Sequence, residues 1–526
     1  MWVDLPNKQK QHYQKLITNF ASLSEAFAQK SDDDDIVSPI VNSKFQESSF
    51  QFSFKATIED ISNTSYDASI DYKDSSSHMK YLIGIKTFGI SSSYQKIAQF
   101  KSISAKSWND ILDKISNNAK KCNSIEEVNS INHELYIELI NKIANARNAR
   151  IKSSRSNLKG FKIDDVPVES VYHVLMPSPK NTDPKIFVGE TNYSTIDTNN
   201  IYGVTCTSTK HPTNINFSDG IHNYRYTSAD SQLLMSFDNN QIILDEWPVK
   251  YIDDAFAFFG NMNSIESSKN LEDKNTDESS SNPSVLETHS WYINVEKYSG
   301  FNAFYGQSKM ARADNVREKK VEKLEDEFPS YATKKQKKEF SKLIKILLLN
   351  SWSTDKSKEK MVKYRDSLMT LLSKLNDNNF KNKVAKCIYR PANEIEIRIP
   401  NSRKFHLKFP HFFVDCDNLF KDDKRVKLIS DKKERTFKLK FIPSNDEIDA
   451  YINQDTGKSI ESTGSQGILG KWVLRDIFQL NDYEPLTEER MEELNINGIR
   501  FLKKKDCIEL EFIWIDHENE PKDIWK

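Results

Sequence analysis

Apolar side chains recur with helical spacing at the start of the chain and with strand spacing soon afterwards. The first thirty residues carry one every three or four positions, which predicts a helix. A second helix is predicted within residues 36–60, where Phe45, Phe50 and Phe54 share one face. NTSYDASIDY and YLIGIKTFG then predict two strands joined by a polar hairpin, KDSSSHMK. Helical spacing returns at residues 94–120.

The rest of the chain alternates between strand-like and helical blocks. About residues 168–262 consist of short apolar runs bounded by Asn, Asp, Gly or Pro, which predict strands. This block either extends the sheet begun by the first hairpin, which we favour, or forms its own domain. Residues 264–284 are rich in Ser, Asn, Asp and Glu and predict a mobile loop or linker. Residues 310–380 predict a Lys- and Glu-rich helical connector, and strands are predicted again from about 388.

Composition narrows the class of protein. The 526 residues, enough for two to four domains, include 75 Lys and Arg against 76 Asp and Glu, so any basic surface must be local. The 30 Phe and 20 Tyr are incompatible with wholesale disorder. The five cysteines form no CxxC pair, so neither a structural zinc site nor a disulfide framework is expected. The best apolar run, Ile344–Leu349, is too short to cross a bilayer, and the chain starts without a signal peptide; we expect a cytoplasmic protein without membrane contact.

Candidate chemistry is concentrated around the first hairpin. Asp67 opens one predicted strand, Lys86 lies 19 residues later on the next, and Glu47 lies on the preceding helix. Two carboxylates can bind a hard divalent cation, which lowers the pKa of bound water and neutralises phosphate charge. A lysine beside them can orient that water and stabilise the transition state.

This arrangement resembles the PD-(D/E)xK nuclease superfamily, whose core runs helix, strand, strand, strand, helix, strand. Asp67 matches the first acidic position and Lys86, in Ile83-Gly84-Ile85-Lys86, matches the lysine. The second acidic position falls on Gly84, which departs from the pattern. Some members place this carboxylate on a neighbouring helix, so Glu47 is our candidate.

The resemblance implies further site residues. Mg²⁺ is the expected cofactor, with Glu47, Asp67 and the backbone carbonyl of Ile85 as ligands. Asp71 is a weaker candidate for the missing acid. Gln95 and Gln99 fall on the predicted helix after Lys86, where family members place a polar residue facing the site. Each of these side chains has a plain alternative as a turn cap or a surface group.

The C-terminal quarter carries more specific motifs. IP is followed by a basic loop and FPHFF, and FKLKFIP by a loop containing QDTGKS. LGKWVLR then predicts an amphipathic helix before PLTEERMEELNINGIR. In this order the motifs resemble the B3-like DNA-recognition domain that bacterial restriction endonucleases attach to various catalytic domains.

In B3 domains two arms enter the major groove of DNA, and the resemblance assigns both arms here. Arg and Lys contact phosphates or guanine, while Gln, Ser and Glu read base edges. The implied DNA-binding residues are Arg398, Ser402, Arg403, Lys404, His406, Gln454, Lys458, Ser459, Glu461, Ser462 and Gln466.

Together these features predict an α+β multidomain protein. Residues 1–300 would form an α/β nuclease-like catalytic domain with a mixed sheet, residues 301–386 the helical connector, and residues 387–526 the B3-like pseudobarrel. The expected function is that of a Type II restriction endonuclease, a Mg²⁺-dependent, sequence-specific double-stranded DNA endonuclease. It would act as a homodimer at least on DNA, alongside a cognate DNA methyltransferase. The alternatives are a non-catalytic sequence-specific DNA-binding protein with a degenerate nuclease fold, and a modification-dependent endonuclease.

Overall fold

The computed structural model describes two compact units. The described residues are 1–27, 35–56, 65–73, 78–162, 166–254, 285–295, 314–350, 352, 354–389, 391–414, 419–420, 428, 431–453, 457–464 and 466–526. One unit comprises Met1–Ser284 with Glu492–Leu494, and the other Val285–Met491 with Asn495–Lys526. The predicted loop at 264–284 lies outside the described residues. None of the helices within these ranges is long and apolar enough to span a membrane.

The N-terminal unit is built on a mixed five-stranded sheet in the order β1-β2-β4-β5-β10. Its strands are β1 (Ala68–Lys73), β2 (His78–Thr87), β4 (Val168–Pro177), β5 (Lys185–Asn192) and β10 (Ile243–Pro248). β2 and β4 are parallel, and the other neighbours are antiparallel. A parallel pair requires a long crossover, and here the crossover includes the longest described helix. The order helix, hairpin, helix, strand thus agrees with the sequence prediction at this point.

Helices cover both faces of this sheet. They are α1 (Asn7–Ala21), α2 (Ser24–Phe27), α3 (Ser43–Phe54), α4 (Lys101–Ile103, continued by a π-helical turn to Trp108), α5 (Asn109–Ala119) and α6 (Ile125–Lys159). Side chains alternate along β2, so Ile83 and Ile85 pack in one core with α1 and α3. Leu82 and Phe88 point the other way, into the core that contains α6. The predicted early helices are confirmed, with α3 beginning at Ser43, where Asn42 accepts a capping hydrogen bond from the Phe45 amide.

A second antiparallel sheet of the same unit has the order β3-β9-β8-β7-β6. Its strands are β3 (Gln95–Gln99), β6 (Tyr202–Ser208), β7 (His211–Ser218), β8 (Asn223–Thr227) and β9 (Gln232–Met235). The predicted block at 168–262 is therefore divided: some strands extend the first sheet and the others form the second. The helix predicted from residue 94 is wrong at its start, because β3 pairs with β9 more than 130 residues away.

The C-terminal unit contains a helical cluster. Its helices are α7 (Asp314–Asp326), α8 (Lys334–Leu349), α9 (Asp355–Lys374) and α10 (Asn378–Ile388). Thr333 and Thr354 each form a capping box at the start of α8 and α9. One apolar core, centred on Phe340, Ile344 and Leu368, joins these helices. The predicted helical character of residues 310–380 is confirmed for the described residues, which begin at Asp314.

The rest of the C-terminal unit is a seven-stranded sheet that curls into a half-barrel. Its order is β11-β16-β17-β13-β14-β15-β12. The strands are β11 (Glu287–Tyr292), β12 (Ile397–Arg398), β13 (Thr436–Ile442), β14 (Glu447–Asn453), β15 (Ser459–Ser462), β16 (Gly498–Lys503) and β17 (Ile508–Ile513). Because β11 pairs with β16, residues 287–292 belong to this sheet. The predicted boundary at residue 300 would have placed them in the N-terminal unit instead.

Three helices accompany the curled sheet. They are α11 (Ser402–Lys408), α12 (Gln466–Lys471, continued by a π-helical turn Trp472–Ile477) and α13 (Glu488–Leu494). The apolar face predicted for LGKWVLR is confirmed, since all its members are buried: Leu469, Trp472, Val473, Ile477 and Leu480. FPHFF also packs inward, where Phe412 and Phe413 meet Phe405.

His173 on β4 makes the stability of the N-terminal unit depend on pH. Its ring is fully buried and stacked on Trp2 at 5.2 Å, and neither nitrogen has a hydrogen-bond partner among the described residues. Burial lowers the pKa of His173 to about 3. The ordinary pKa of about 6.5 applies to the unfolded chain, so only that state takes up a proton as the pH falls below 6.5. Stability is then lost by up to about 1.4 kcal/mol per pH unit until the pH approaches the folded value.

Replacing His173 with phenylalanine is expected to remove this loss while preserving the stacked ring. Urea unfolding between pH 7.5 and pH 4.5 measures it: the fall in unfolding free energy should be smaller in the variant by about 2–3 kcal/mol. His133→Gln is the matched control, because His133 is exposed on α6. An equal pH dependence in His173→Phe and the parent would show that His173 does not carry this effect.

Candidate active site and candidate DNA interface

The structure brings Asp67 and Lys86 together at one end of the first hairpin. Asp67 directly precedes β1, and its amide donates to the Ile83 carbonyl at 2.8 Å. Its Oδ2 accepts from the Ile85 amide at 2.7 Å and from Lys86 Nζ at 3.3 Å. Both side chains are about one-third exposed, at 34% and 31%. This carboxylate is therefore held in place by the backbone while remaining open to a ligand.

The Ile85 carbonyl lies on the same edge of β2 as this carboxylate. In a strand, the amide and carbonyl of one residue point to the same side, and the Ile85 amide points at Asp67. The ladder between β1 and β2 ends at the pair Ala68–Ile83, so it does not reach Ile85. One carboxylate and one carbonyl oxygen suit Mg²⁺, which is usually bound by one or two carboxylates with water and substrate phosphates. The Asp67 carboxylate and the Ile85 carbonyl are therefore suitable ligands for Mg²⁺.

A dense cluster of protein ligands is not part of this arrangement. In the ranges that the structure covers, no three His, Cys, Asp or Glu side chains gather closely enough to hold a metal ion. Water and substrate oxygens would have to supply the remaining ligands. A cation bound in this way depends on the substrate more than one held by a complete protein cage.

The Glu47 side chain is 22% exposed and pairs within its own helix. Its Oε2 pairs with Lys44 Nζ at 2.9 Å on the same helix. α3 packs on the face of the sheet that carries Ile83 and Ile85, whereas Lys86, one residue on, points to the opposite face. The structure therefore gives Glu47 a partner on its own helix and not the predicted place beside Lys86.

Gln46 is the polar residue that α3 directs to the sheet. It is fully buried, and its Oε1 accepts a hydrogen bond from the Thr87 hydroxyl, next to Lys86. Gln46 was not among the residues predicted from the sequence. The one available indication was that it is a polar residue next to Glu47. The weaker candidate, Asp71, pairs with His78 at 2.6 Å on the other strand of the hairpin.

Gly84, at the second acidic position, lies against two aromatic rings. A Cβ added there would lie 2.7 Å from Tyr193 Cε2 and 2.8 Å from Tyr172 Cδ1. These tyrosines stack with ring centroids 4.0 Å apart and an interplanar angle of 17°. The rings occupy the volume that an acidic side chain would need, which is the physical reason for glycine at this point of the motif.

A buried arginine fixes the tyrosine pair. Arg147 on α6 donates to the Ser194 carbonyl at 2.8 Å, and its guanidinium lies 5.6 Å from the Tyr193 ring centroid. The Tyr193 hydroxyl donates to the Ser65 carbonyl at 2.6 Å, two residues before Asp67. Burial raises the pKa of Tyr193, so its hydroxyl remains a donor at neutral pH. The pair thus supports the backbone that carries Asp67.

Gln95 and Gln99 are placed differently from their prediction. Both lie on β3 in the second sheet, and Gln99 Nε2 donates to the Asp230 carbonyl at 3.1 Å. The expectation that they face Asp67 and Lys86 from a helix is wrong, because no helix includes them.

The first predicted DNA-binding arm contains a helix where a loop was expected. Ser402 and His406 lie on α11 and are buried, and His406 Nε2 lies 2.8 Å from the Gly457 carbonyl. Arg403 and Lys404, on the same helix, are exposed. Arg398 is partly exposed and pairs with Glu396 at 3.0 Å. The cations of this arm are accessible, whereas its serine and histidine act within the fold.

The second arm is similarly divided. Lys458 is exposed, but Ser459 and Ser462 are buried. Glu461 accepts hydrogen bonds from the Tyr451 hydroxyl at 3.0 Å and from Asn453 Nδ2 at 2.8 Å, which orients it within the sheet. Gln454 and the side chain of Gln466 lie outside the described residues.

Compared with profiles of known protein families and with curated protein sequences, the chain matches none of them. The motifs of this sequence and the geometry of the two regions are therefore the indications of its function. Of that geometry, the contact between Asp67 and Lys86 is the most informative element.

Proposed function

We propose that this protein is a Mg²⁺-dependent, sequence-specific double-stranded DNA endonuclease of the restriction type. The observation that carries the proposal is the Asp67–Lys86 contact of 3.3 Å, at a backbone edge that also presents the Ile85 carbonyl. A carboxylate, a carbonyl and an ammonium group at one open site suit phosphodiester hydrolysis. The crossover from β2 to its parallel neighbour β4 through α6 also supports the resemblance to PD-(D/E)xK nucleases.

Each residue has a distinct part in the proposed reaction. Asp67 and the Ile85 carbonyl would hold Mg²⁺, which supplies charge neutralisation on the phosphate and a more acidic bound water. The amide of Ile85 keeps the Asp67 carboxylate in position. Lys86 orients the attacking water and stabilises the negative charge that develops on the phosphoryl oxygens. Water oxygen bonds to phosphorus as the P–O3′ bond breaks, leaving a 5′-phosphate and a 3′-hydroxyl.

The C-terminal half-barrel is the proposed reader of DNA sequence. Arg403, Lys404 and Lys458 are exposed cations on the two predicted arms, and phosphate contacts of this kind position a protein on duplex DNA. The curled seven-stranded sheet supports the resemblance to a B3-like domain. Cutting both strands needs two active sites or two events, so a homodimer on DNA belongs to the proposal, as does a cognate methyltransferase in the cell.

A specific observation favours a second candidate, a non-catalytic sequence-specific DNA-binding protein. The stacked rings of Tyr172 and Tyr193 fill the place of the second acid, and Glu47 pairs with Lys44. With one carboxylate in place of two, the nuclease fold would serve to dimerise or regulate while the C-terminal unit binds DNA.

Incubation of the purified protein with unmethylated phage-length DNA and Mg²⁺ distinguishes these candidates. We expect discrete fragments, and a loss of at least about 100-fold in cleavage rate in Asp67→Asn, because metal-ion charge stabilisation is worth several kcal/mol. Asp113→Asn, an exposed carboxylate on α5, is the control and should cleave normally. Gel shifts of duplex DNA without fragments would favour the binding protein. Fragments from methylated DNA alone would identify a modification-dependent endonuclease.

A further inference from the structure

A large lysine-lined cavity lies within the C-terminal unit, and its lining includes none of the residues of the two predicted sites. This open concavity has a volume of about 1050 Å³ and lies between α7, the end of α10 and two short segments, residues 391–393 and 482–483. This volume is in the range of cavities that bind whole small molecules. Its basic lining consists of Lys319, Lys320, Lys323, Lys383 and Lys386.

Most of this positive charge is not neutralised by the cavity's own residues. Lys323 and Lys383 share Glu327, at 4.0 and 2.9 Å. Asp482, the acid in the lining, is engaged by Arg475 at 3.2 Å. Within the described part of the chain, Lys319, Lys320 and Lys386 form no ion pair. Like charges gathered around a concavity create a strongly positive potential, which attracts a polyanion.

Apart from the lysines, Asp482 and Asn393, the lining is apolar and aromatic. The rings of Tyr389 and Tyr483 stack with their centroids 4.5 Å apart. Arg365 on α9 places its guanidinium 4.5 Å from the centroid of the Tyr389 ring. Tyr483 is half-buried, and Val316 and Pro391 extend the apolar surface. A ligand complementary to this lining has a planar apolar part and several negative charges.

We propose that this cavity binds a free nucleotide with two or more phosphates. Its phosphates would contact Lys319, Lys320 and Lys386, and its base would lie against Tyr483 and Pro391. A concave site of this size suits a free nucleotide. Reading duplex DNA through its major groove requires a helix or β-ribbon that projects into the groove. This site is independent of the proposed nuclease chemistry, and it offers a means by which a small molecule regulates the protein.

Isothermal titration of the full-length protein with ATP, ADP, adenosine and tripolyphosphate tests the proposal. We expect ATP to bind, and adenosine to bind at least about tenfold more weakly because it lacks charge-assisted contacts. Lys320→Gln with Lys386→Gln should weaken ATP binding at least about tenfold, and Lys338→Gln with Lys342→Gln on α8 should leave it unchanged. Tyr483→Leu should weaken ATP but not tripolyphosphate. Thermal unfolding establishes that each variant is folded.

Several outcomes would overturn the proposal. No ATP or ADP binding at millimolar concentration would reject a nucleotide site, whether or not DNA is cleaved. Unchanged ATP affinity in the Lys320 and Lys386 double variant would place binding elsewhere. Equal affinity for tripolyphosphate and ATP, unaffected by Tyr483→Leu, would reduce the site to a phosphate-rich anion site. Displacement of ATP by short duplex DNA, lost with the same lysines, would assign the cavity to nucleic acid.

Discussion

Replacement of Lys86 by alanine is expected to slow DNA cleavage by about 10²–10⁴-fold, the usual contribution of one positioned proton-transfer or charge-stabilising group. Affinity for duplex DNA should stay the same, because the predicted recognition arms lie in the C-terminal unit. The reason is the position of the ammonium group, 3.3 Å from Asp67 Oδ2 at an open edge. Single-turnover cleavage with excess enzyme and a separate gel-shift titration measure the two quantities.

Lys73→Ala is the matched control for this experiment. Lys73 is an exposed lysine at the other end of the same hairpin, paired in register with His78. Its removal changes the net charge by the same amount and should leave cleavage unchanged. Cleavage by Lys86→Ala at the parental rate would remove Lys86 from the active site even if the protein is a nuclease.

Restoring the acidic motif by Gly84→Glu is expected to destabilise the N-terminal unit and to bring no gain in cleavage. A Cβ alone would meet Tyr193 and Tyr172 atoms at 2.7–2.8 Å, so both rings must shift. Overpacking of a core costs about 1–3 kcal/mol, and an unpaired buried carboxylate adds several kcal/mol more. Urea unfolding followed by tyrosine and tryptophan fluorescence should show a loss of at least about 3 kcal/mol.

Gly89→Ala provides the comparison for Gly84→Glu. The nearest atom to a Cβ at Gly89 is Ser92 Oγ at 3.7 Å, an ordinary contact, so its stability should be close to that of the parent. Gly84→Ala separates overpacking from charge burial, with an expected loss of about 1–3 kcal/mol. A stable Gly84→Glu protein that cleaves faster would contradict this expectation. It would show that Tyr172 and Tyr193 can shift to admit the side chain and that a second carboxylate increases activity.

Local patterning sufficed to predict the first hairpin and the approach of Asp67 to Lys86. Two alternating runs separated by a short polar turn leave few registers, and the observed register pairs Ala68 with Ile83. Local patterning could not predict the rotation of α3 about its own axis, which determines the side chain that faces the sheet. One residue changes a helical direction by about 100°, so the choice between Gln46 and Glu47 depends on how α3 packs on the sheet.

Other features depend on partners far along the chain. Gln95–Gln99 is a strand because β9 is available to pair with it. Since β9 lies more than 130 residues away, the sequence around Gln95 does not reveal this pairing. The burial of His406 and Ser459 likewise follows from contacts across the half-barrel, including the Gly457 carbonyl. Motif spacing placed these residues near the arms but could not determine which side chains point outward.

The pairing of β11 with β16 determines how the C-terminal unit can be isolated. Residues 287–292 supply an edge strand and the buried Trp291, which stacks on Phe501 at 4.8 Å. Yet 205 residues lie between Tyr292, where β11 ends, and Gly498, where its partner β16 begins. A fragment beginning at residue 387, the boundary that motifs alone indicate, would lack this strand and expose β16 as an unprotected edge. Such a fragment should aggregate. The proposed recognition of DNA by the half-barrel is therefore best tested on a fragment that begins at Val285 and keeps the helices α7–α10.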